Sequence, residues 1–294
     1  KTYIKLLQLG EVFFCTSFFC IFAPYYNNIV SVALKDSFER SGNILFKYRG
    51  QIPVLLFLLA IPLLFGSNRI FYFQIFMGQW KVLRIVTIVL AIAITLCGLL
   101  LRAYTVSTTP KGTSGRNTSG QVAKTLNTKG IYSIVRHPLY LANYLIWAGV
   151  LVFTMNIYVF LIVSLAYWIY YERIMFAEEA YLRQQFGEEF EEWAARVPAF
   201  IPKFSLFQKG EMQFSVKPFL RREYATIYST VFSYVIADYL LFILIVVVNT
   251  PFQIPFAKWI RPFLYILLAF TIITLIVKLI KHKTDWLKAD NKRD

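Results

Sequence analysis

Charge is what this sequence has least of. Only 16% of its residues are Asp, Glu, Lys or Arg, where soluble domains carry about 25%, and the deficit argues against an ordinary soluble globular fold. Acidic residues are the scarcer sign, 16 against 31 Lys and Arg. Cysteine is limited to Cys15, Cys20 and Cys97, all inside apolar runs and without CxxC or Cys/His spacing, so neither a disulfide framework nor a metal site is expected. A Gly-rich dinucleotide fingerprint of the GxGxxG type is absent, as is any internal repeat.

What the sequence does have is apolar length. Hydrophobic residues make up 57% and aromatics 18%, and they come in runs. A helix needs about 20 such residues to cross roughly 30 Å of hydrocarbon. Runs at 6–30, 52–66, 82–103, 139–154, 157–171, 225–248 and 262–280 predict an all-α, polytopic membrane protein with about seven transmembrane helices. Pro53 and Pro62 bracket the second run and can bend it. The few residues around Asn156 between the fourth and fifth runs force an antiparallel hairpin. The first run is too long and too aromatic, and lacks a small-residue cleavage site, to read as a removable signal peptide.

The net charge of +15 would raise nucleic acid as a partner of a soluble protein. In a membrane protein the same excess marks cytoplasmic loops, and no nucleic-acid partner is expected. Lys35, Arg40, Lys47 and Arg49 lie between the first two runs, and Lys111, Arg116, Lys124, Lys129 and Arg136 follow the third. With seven spans, residues 172–223 and the basic tail fall on that same side, which puts the N-terminus outside and the C-terminus inside. Three regions result: N-terminal transmembrane helices over 1–103, a core with cofactor-binding motifs and the helical hairpin over 104–202, and a C-terminal extension over 203–294 with two helices and a basic tail. Within the core, TTPKGTSGRNTSGQ reads as a turn-rich loop able to offer backbone N–H groups. Phe176, Leu182, Phe186, Phe190 and Trp193 keep helical spacing, which predicts that the fifth helix leaves the bilayer and then lies along its surface as an interfacial helix.

Two motifs could carry chemistry. The first is GIYSIVRHPLY at 130–140, where Pro138 suits the first turn of a helix, so that Arg136 and His137 sit at a helix N-terminus favourable to a carboxylate or phosphate. Anchoring of the helix at headgroup level by Arg136, His137 and Tyr140 is the plainer alternative. The second is the adjacent pair Glu178 and Glu179, followed by Phe186-Gly187-Glu188-Glu189-Phe190, Trp193, Val197-Pro198 and Ile201-Pro202. Adjacent carboxylates near the membrane surface can hold the amino group or ribose hydroxyls of a nucleotide-like cofactor, whereas Glu188, Glu189, Glu191 and Glu192 read as a solvated face.

The ordered pair RHPLY and EEAYLRQQFGEEFEEWAARVPAFIP resembles the catalytic core of the isoprenylcysteine carboxyl methyltransferase and phospholipid methyltransferase superfamily, over about 130–202. The resemblance implies S-adenosyl-L-methionine as cofactor, held by Gly130, Tyr132, Arg136, His137, Pro138, Tyr140, Asn143, Glu178 and Glu179. It makes Arg136 and Arg173 catalytic candidates, with Arg173 one position from the family's arginine, and Arg116 joins them from the small-residue loop Thr113–Asn117. Arg116, Asn117, Trp147 and Tyr170 are the candidates for the substrate. Phe190 and Trp193 stand where the family usually has tyrosines, and two helices follow Pro202 where relatives commonly end. The loop from Thr113 to Asn117, able to form a backbone anion nest, favours an anionic lipid acceptor; with the following LNTKGIYSIVRHPLY it resembles bacterial members of the superfamily, which implies lipid A-like phosphate methylation at an active site facing the cytoplasm of a bacterial inner membrane. An isoprenylcysteine carboxylate or a phospholipid amine is the alternative acceptor. An NADPH-dependent sterol-type reductase and a transporter are the alternative classes. The oligomeric state is not legible.

Overall fold

The computed structural model describes residues 34–66, 80–110, 121–244, 261–284 and 286–287. The chain divides into two compact units, residues 1–37 and 38–294. Of the first, only residues 34–37 are described, and they begin a helix; everything that follows concerns the second. The predicted first run, 6–30, lies outside the described residues.

The fold is all-helical. Its eight α-helices among the described residues are α1 (Leu34–Lys47), α2 (Ile52–Phe65), α3 (Lys81–Thr108), α4 (Pro138–Phe153), α5 (Ile157–Phe186), α6 (Glu188–Arg196), α7 (Val216–Phe242) and α8 (Pro262–Lys283). Four are long and apolar enough to cross a membrane, over Val82–Thr108, Ile157–Phe186, Phe219–Phe242 and Pro262–Lys283. The apolar parts of α2 and α4, Val54–Phe65 and Pro138–Phe153, are shorter. Of about seven expected spans, the described residues hold four full-length ones; the runs at 52–66 and 139–154 form α2 and α4, whose 14 and 16 residues at 1.5 Å each fall short of about 30 Å. The helix of the 157–171 run continues past its apolar part, as the spacing of Phe176, Leu182 and Phe186 predicts, and runs unbroken to Phe186. Outward side chains of α8 such as Leu268, Ile272 and Leu275 are more than half exposed, which only hydrocarbon surroundings make favourable. The protein is integral to a membrane.

Close approach of α3 and α4 sets the centre. A β-carbon at Gly98 would stand 2.7 Å from the Ala142 carbonyl oxygen, and one at Gly149 would collide with the Thr95 hydroxyl and the Ala91 carbonyl. Small residues of this kind let helices in lipid approach backbone to backbone. The α4–α5 connection is the expected tight hairpin, with Met155 at φ 55 and the Asn156 side chain capping Val159 N at 3.0 Å. Helix α5 is tied inward by tyrosines. Tyr167 donates to the Tyr140 carbonyl at 2.8 Å, Tyr170 to Leu45 O at 2.7 Å and Tyr171 to Arg49 O at 3.0 Å. The Tyr167 and Tyr171 rings stack on each other, and Tyr140 and Tyr144 pack against them at tilted angles in one cluster.

The C-terminal helices join this centre. Tyr234 of α7 hydrogen-bonds to Thr95 at 2.7 Å and donates to Ala91 O at 3.0 Å, and buried Asp238 pairs with Arg261 at the start of α8 at 2.8 Å. Paired charge inside an apolar bundle is the arrangement that keeps an ionisable residue tolerable there.

Candidate active site

The loop before α4 folds because a second segment completes it. Gly130, at φ 64, takes a conformation that a side chain would strain, starts a short 3₁₀ turn over Ile131–Ser133 and forms an antiparallel bridge with Gln208. Arg136 N then donates to Pro198 O at 2.9 Å, His137 N to Ala199 O at 3.1 Å and Lys203 N to Ile134 O at 2.9 Å. The two sequence motifs are thus zipped backbone to backbone. Gly187, at φ 52, turns the chain from α5 into α6. Phe190 and Trp193 of α6 are buried with Val197 against Leu126, Tyr132, Leu182, Phe186 and Leu206, and the Trp193 indole donates to Tyr132 O at 3.0 Å. The expectation of an interfacial helix is corrected here: the apolar stripe of α6 faces protein, not lipid, because the preceding loop needs a cover.

Side chains reinforce the joint. Arg136 grips Glu179 at two points, Nε to Oε1 at 2.8 Å and Nη2 to Oε2 at 3.3 Å, and its Nη1 donates to the Ala194 and Val197 carbonyls, both at 2.7 Å. His137 bridges the acidic pair, with Nε2 2.9 Å from Glu179 Oε1 and Nδ1 3.4 Å from Glu178 Oε2. Burial opposes a charge on His137, but the hydrogen bonds and charges of Glu178 and Glu179 outweigh it and raise its pKa above the ordinary 6.5. Tyr140 donates to Glu178 Oε1 at 2.8 Å and stacks on His137. Burial, with the Glu178 charge adding to it, holds the Tyr132 phenol well above its usual range, so it stays protonated.

These groups enclose a cavity of about 240 Å³. Of the residues expected to bind cofactor, Tyr132, Arg136, His137, Pro138, Tyr140, Asn143 and Glu178 line it. Gly130 shapes the loop behind, and Glu179 is taken up by Arg136 and His137. The other candidates are placed elsewhere. Arg173 bonds to the Ser41 hydroxyl at 3.2 Å and covers the Phe38 ring, Trp147 packs on Phe57, and Tyr170 is bonded to α1; none of the three lines the cavity. Arg116 and Asn117 lie outside the described residues. The sequence reading missed Arg49, Arg102, Tyr171, Tyr181 and the stretches Gln121–Ala123 and Thr125–Asn127, all at the cavity wall. Arg102 carried a usable signal, an arginine ending an apolar run. Among the described residues no group of three His, Cys, Asp or Glu side chains is close enough to hold a metal ion.

The cavity carries both acidic and basic side chains, Glu178 beside Arg49, Arg102 and Arg136. Comparison narrows the class. Residues 86–189 match the phospholipid methyltransferase family, and the chain carries a domain of the isoprenylcysteine and phospholipid methyltransferase superfamily. It is 39% identical over 98 residues, 33% of the chain, to the cobalt-zinc-cadmium resistance protein CzcN of Cupriavidus metallidurans. It is 38% identical over 90 residues, 31% of the chain, to the nickel-cobalt-cadmium resistance protein NccN of Alcaligenes xylosoxydans xylosoxydans. The protein-S-isoprenylcysteine O-methyltransferase of Schizosaccharomyces pombe shares 40% identity over 78 residues, 26% of the chain. The matches span 44%, 42% and 33% of those relatives, less than half of each. No solved structure matches.

Proposed function

We propose that this protein transfers a methyl group from S-adenosylmethionine to an anionic, lipid-borne acceptor such as a lipid phosphate. The observation that carries the reading is the cavity itself, where the Glu178 carboxylate and the Arg49 and Arg102 guanidinium groups stand at one wall system with Phe46, Leu126, Leu139, Leu182 and Trp193. The donor set fits the cofactor. Glu178 has lone pairs beyond those facing Tyr140 and His137, suited to ribose hydroxyls or an amino group, while guanidinium groups suit an oxyanion. Bound there, S-adenosylmethionine would supply a methyl group already activated on a sulfonium. The protein's share is to align the acceptor oxygen and exclude water.

An anionic oxygen needs orientation only, whereas an ammonium acceptor must first lose a proton to a base. His137 is badly placed to be that base, with both ring nitrogens turned to carboxylates. The O-methyltransferase name of the yeast relative also favours an oxygen acceptor. A prenylcysteine carboxylate is the second reading on the same ground. The orientation that goes with this function puts the cavity on the cytoplasmic side of a bacterial inner membrane, open to a soluble cofactor.

The test is methyl transfer in liposomes of mixed headgroups with methyl-labelled S-adenosylmethionine. Label is expected in an anionic lipid fraction; label confined to phosphatidylethanolamine would overturn the choice of acceptor.

A further inference from the structure

The family match ends at residue 189, yet the cavity wall depends on a residue beyond it. Arg102 lies on α3 about 9 Å inside the helix end at 1.5 Å per residue, and it lines the cavity. Its Nε and Nη2 donate to the Glu223 carboxylate at 2.5 and 3.3 Å, and its Nη1 donates to Asn143 Oδ1 at 2.5 Å. Glu223 sits on α7, 121 residues away in sequence. It is fully buried and also accepts from the Thr226 hydroxyl at 2.7 Å.

We infer that Arg102 is an oxyanion-binding residue of the cavity and that Glu223, from the C-terminal extension, is the residue that positions it. This deepens the proposed function by giving the anion a receptor and α7 a role in the site. An arginine this far inside an apolar helix, with its side chain only 19% exposed, calls for a counter-charge. Glu223 supplies it on one edge of the guanidinium and Asn143 takes a second point, which uses three of the five N–H donors and fixes the plane of the group. A planar guanidinium fixed at one edge presents its remaining N–H donors to the cavity in a set direction, the arrangement that recognises a carboxylate or phosphate. The oxyanion has two possible sources, the acceptor headgroup and the carboxylate of the methyl donor.

The experiment is calorimetry on the full chain in phosphatidylcholine nanodiscs, with dodecyl phosphate as one probe and S-adenosylhomocysteine as the other. Removing one member of a buried ion pair can unfold the protein, so the decisive variant is Arg102→Met with Glu223→Met, which leaves no uncompensated charge. It is expected to keep the wild-type unfolding temperature and lose about tenfold or more in affinity for one probe. Loss toward dodecyl phosphate assigns Arg102 to the acceptor, and loss toward S-adenosylhomocysteine assigns it to the donor carboxylate. Unchanged affinity for both probes overturns the inference. Glu223→Gln should weaken the same probe, and Glu223→Asp should restore part of the loss; equal affinity in Glu223→Gln and wild type overturns the positioning role. Wild-type protein that fails to bind S-adenosylhomocysteine would count against the methyltransferase reading alone, because the dodecyl phosphate arm still decides on Arg102.

Discussion

Arg136 and Glu179 stand 43 residues apart in sequence and meet in a two-point ion pair, 2.8 and 3.3 Å long, with the side chains only 15% and 19% exposed. The pair joins the loop before α4 to the end of α5, and Arg136 extends the joint to the carbonyls behind α6. Lysine can replace neither the fork nor the two carbonyl contacts. Arg136→Lys is therefore expected to cost about 2–4 kcal/mol of stability, read as a lowered midpoint of denaturation in detergent. An unchanged midpoint would show that the joint is not structural.

Glu178 and Glu179 are neighbours with different duties. Glu179 is occupied by Arg136 and His137, whereas Glu178 reaches the cavity. Glu178→Gln should lower affinity for S-adenosylhomocysteine about tenfold or more while changing stability by less than about 1 kcal/mol. Glu179→Gln should do the reverse, and calorimetry beside thermal unfolding separates the two. Equal effects of the two substitutions on both readouts would remove the distinction.

The pH dependence follows from His137, whose pKa is raised by its two carboxylate neighbours against the opposing effect of burial. A raised folded-state pKa means that the protonated histidine stabilises the fold fully below its unfolded value of about 6.5, and the contribution disappears as pH rises through the higher folded value. The unfolding temperature should accordingly fall as pH rises above about 6.5 through the higher folded value, and His137→Gln should flatten that slope. A wild-type slope of the opposite sign would place a neutral imidazole between the glutamates.

Gly187 turns α5 into α6 at φ 52 and ψ −122, a region that side chains avoid. Gly187→Ala should cost about 1–3 kcal/mol and speed hydrogen exchange in α6 and in the 130–137 loop it covers. Faster exchange confined to the α8 amides would contradict the coupling described for α6.

The membrane class and the positions of the apolar helices were legible in the sequence because long apolar runs permit little else. The pairing of RHP with the downstream glutamates was legible through family resemblance, and the backbone bonds from Arg136 and His137 to Pro198 and Ala199 give it a physical basis. The extent of the fifth helix was legible through spacing rather than hydropathy, which fades at Glu172: Phe176, Leu182 and Phe186 keep helical spacing, and the helix continues to Phe186, tied inward by tyrosines 167, 170 and 171. The stripe of α6 looked lipid-facing because helical periodicity reports an apolar face without naming what covers it. Arg102 and Glu223 were invisible as a pair, because nothing local relates a residue of α3 to one of α7.

The central claim is tested most directly by titrating the purified protein with S-adenosylhomocysteine and, in parallel, with NADPH. Saturable binding of S-adenosylhomocysteine that is weakened by Glu178→Gln, with no heat from NADPH, is the result expected here. NADPH binding without S-adenosylhomocysteine binding would contradict the account and assign the cavity to a reductase.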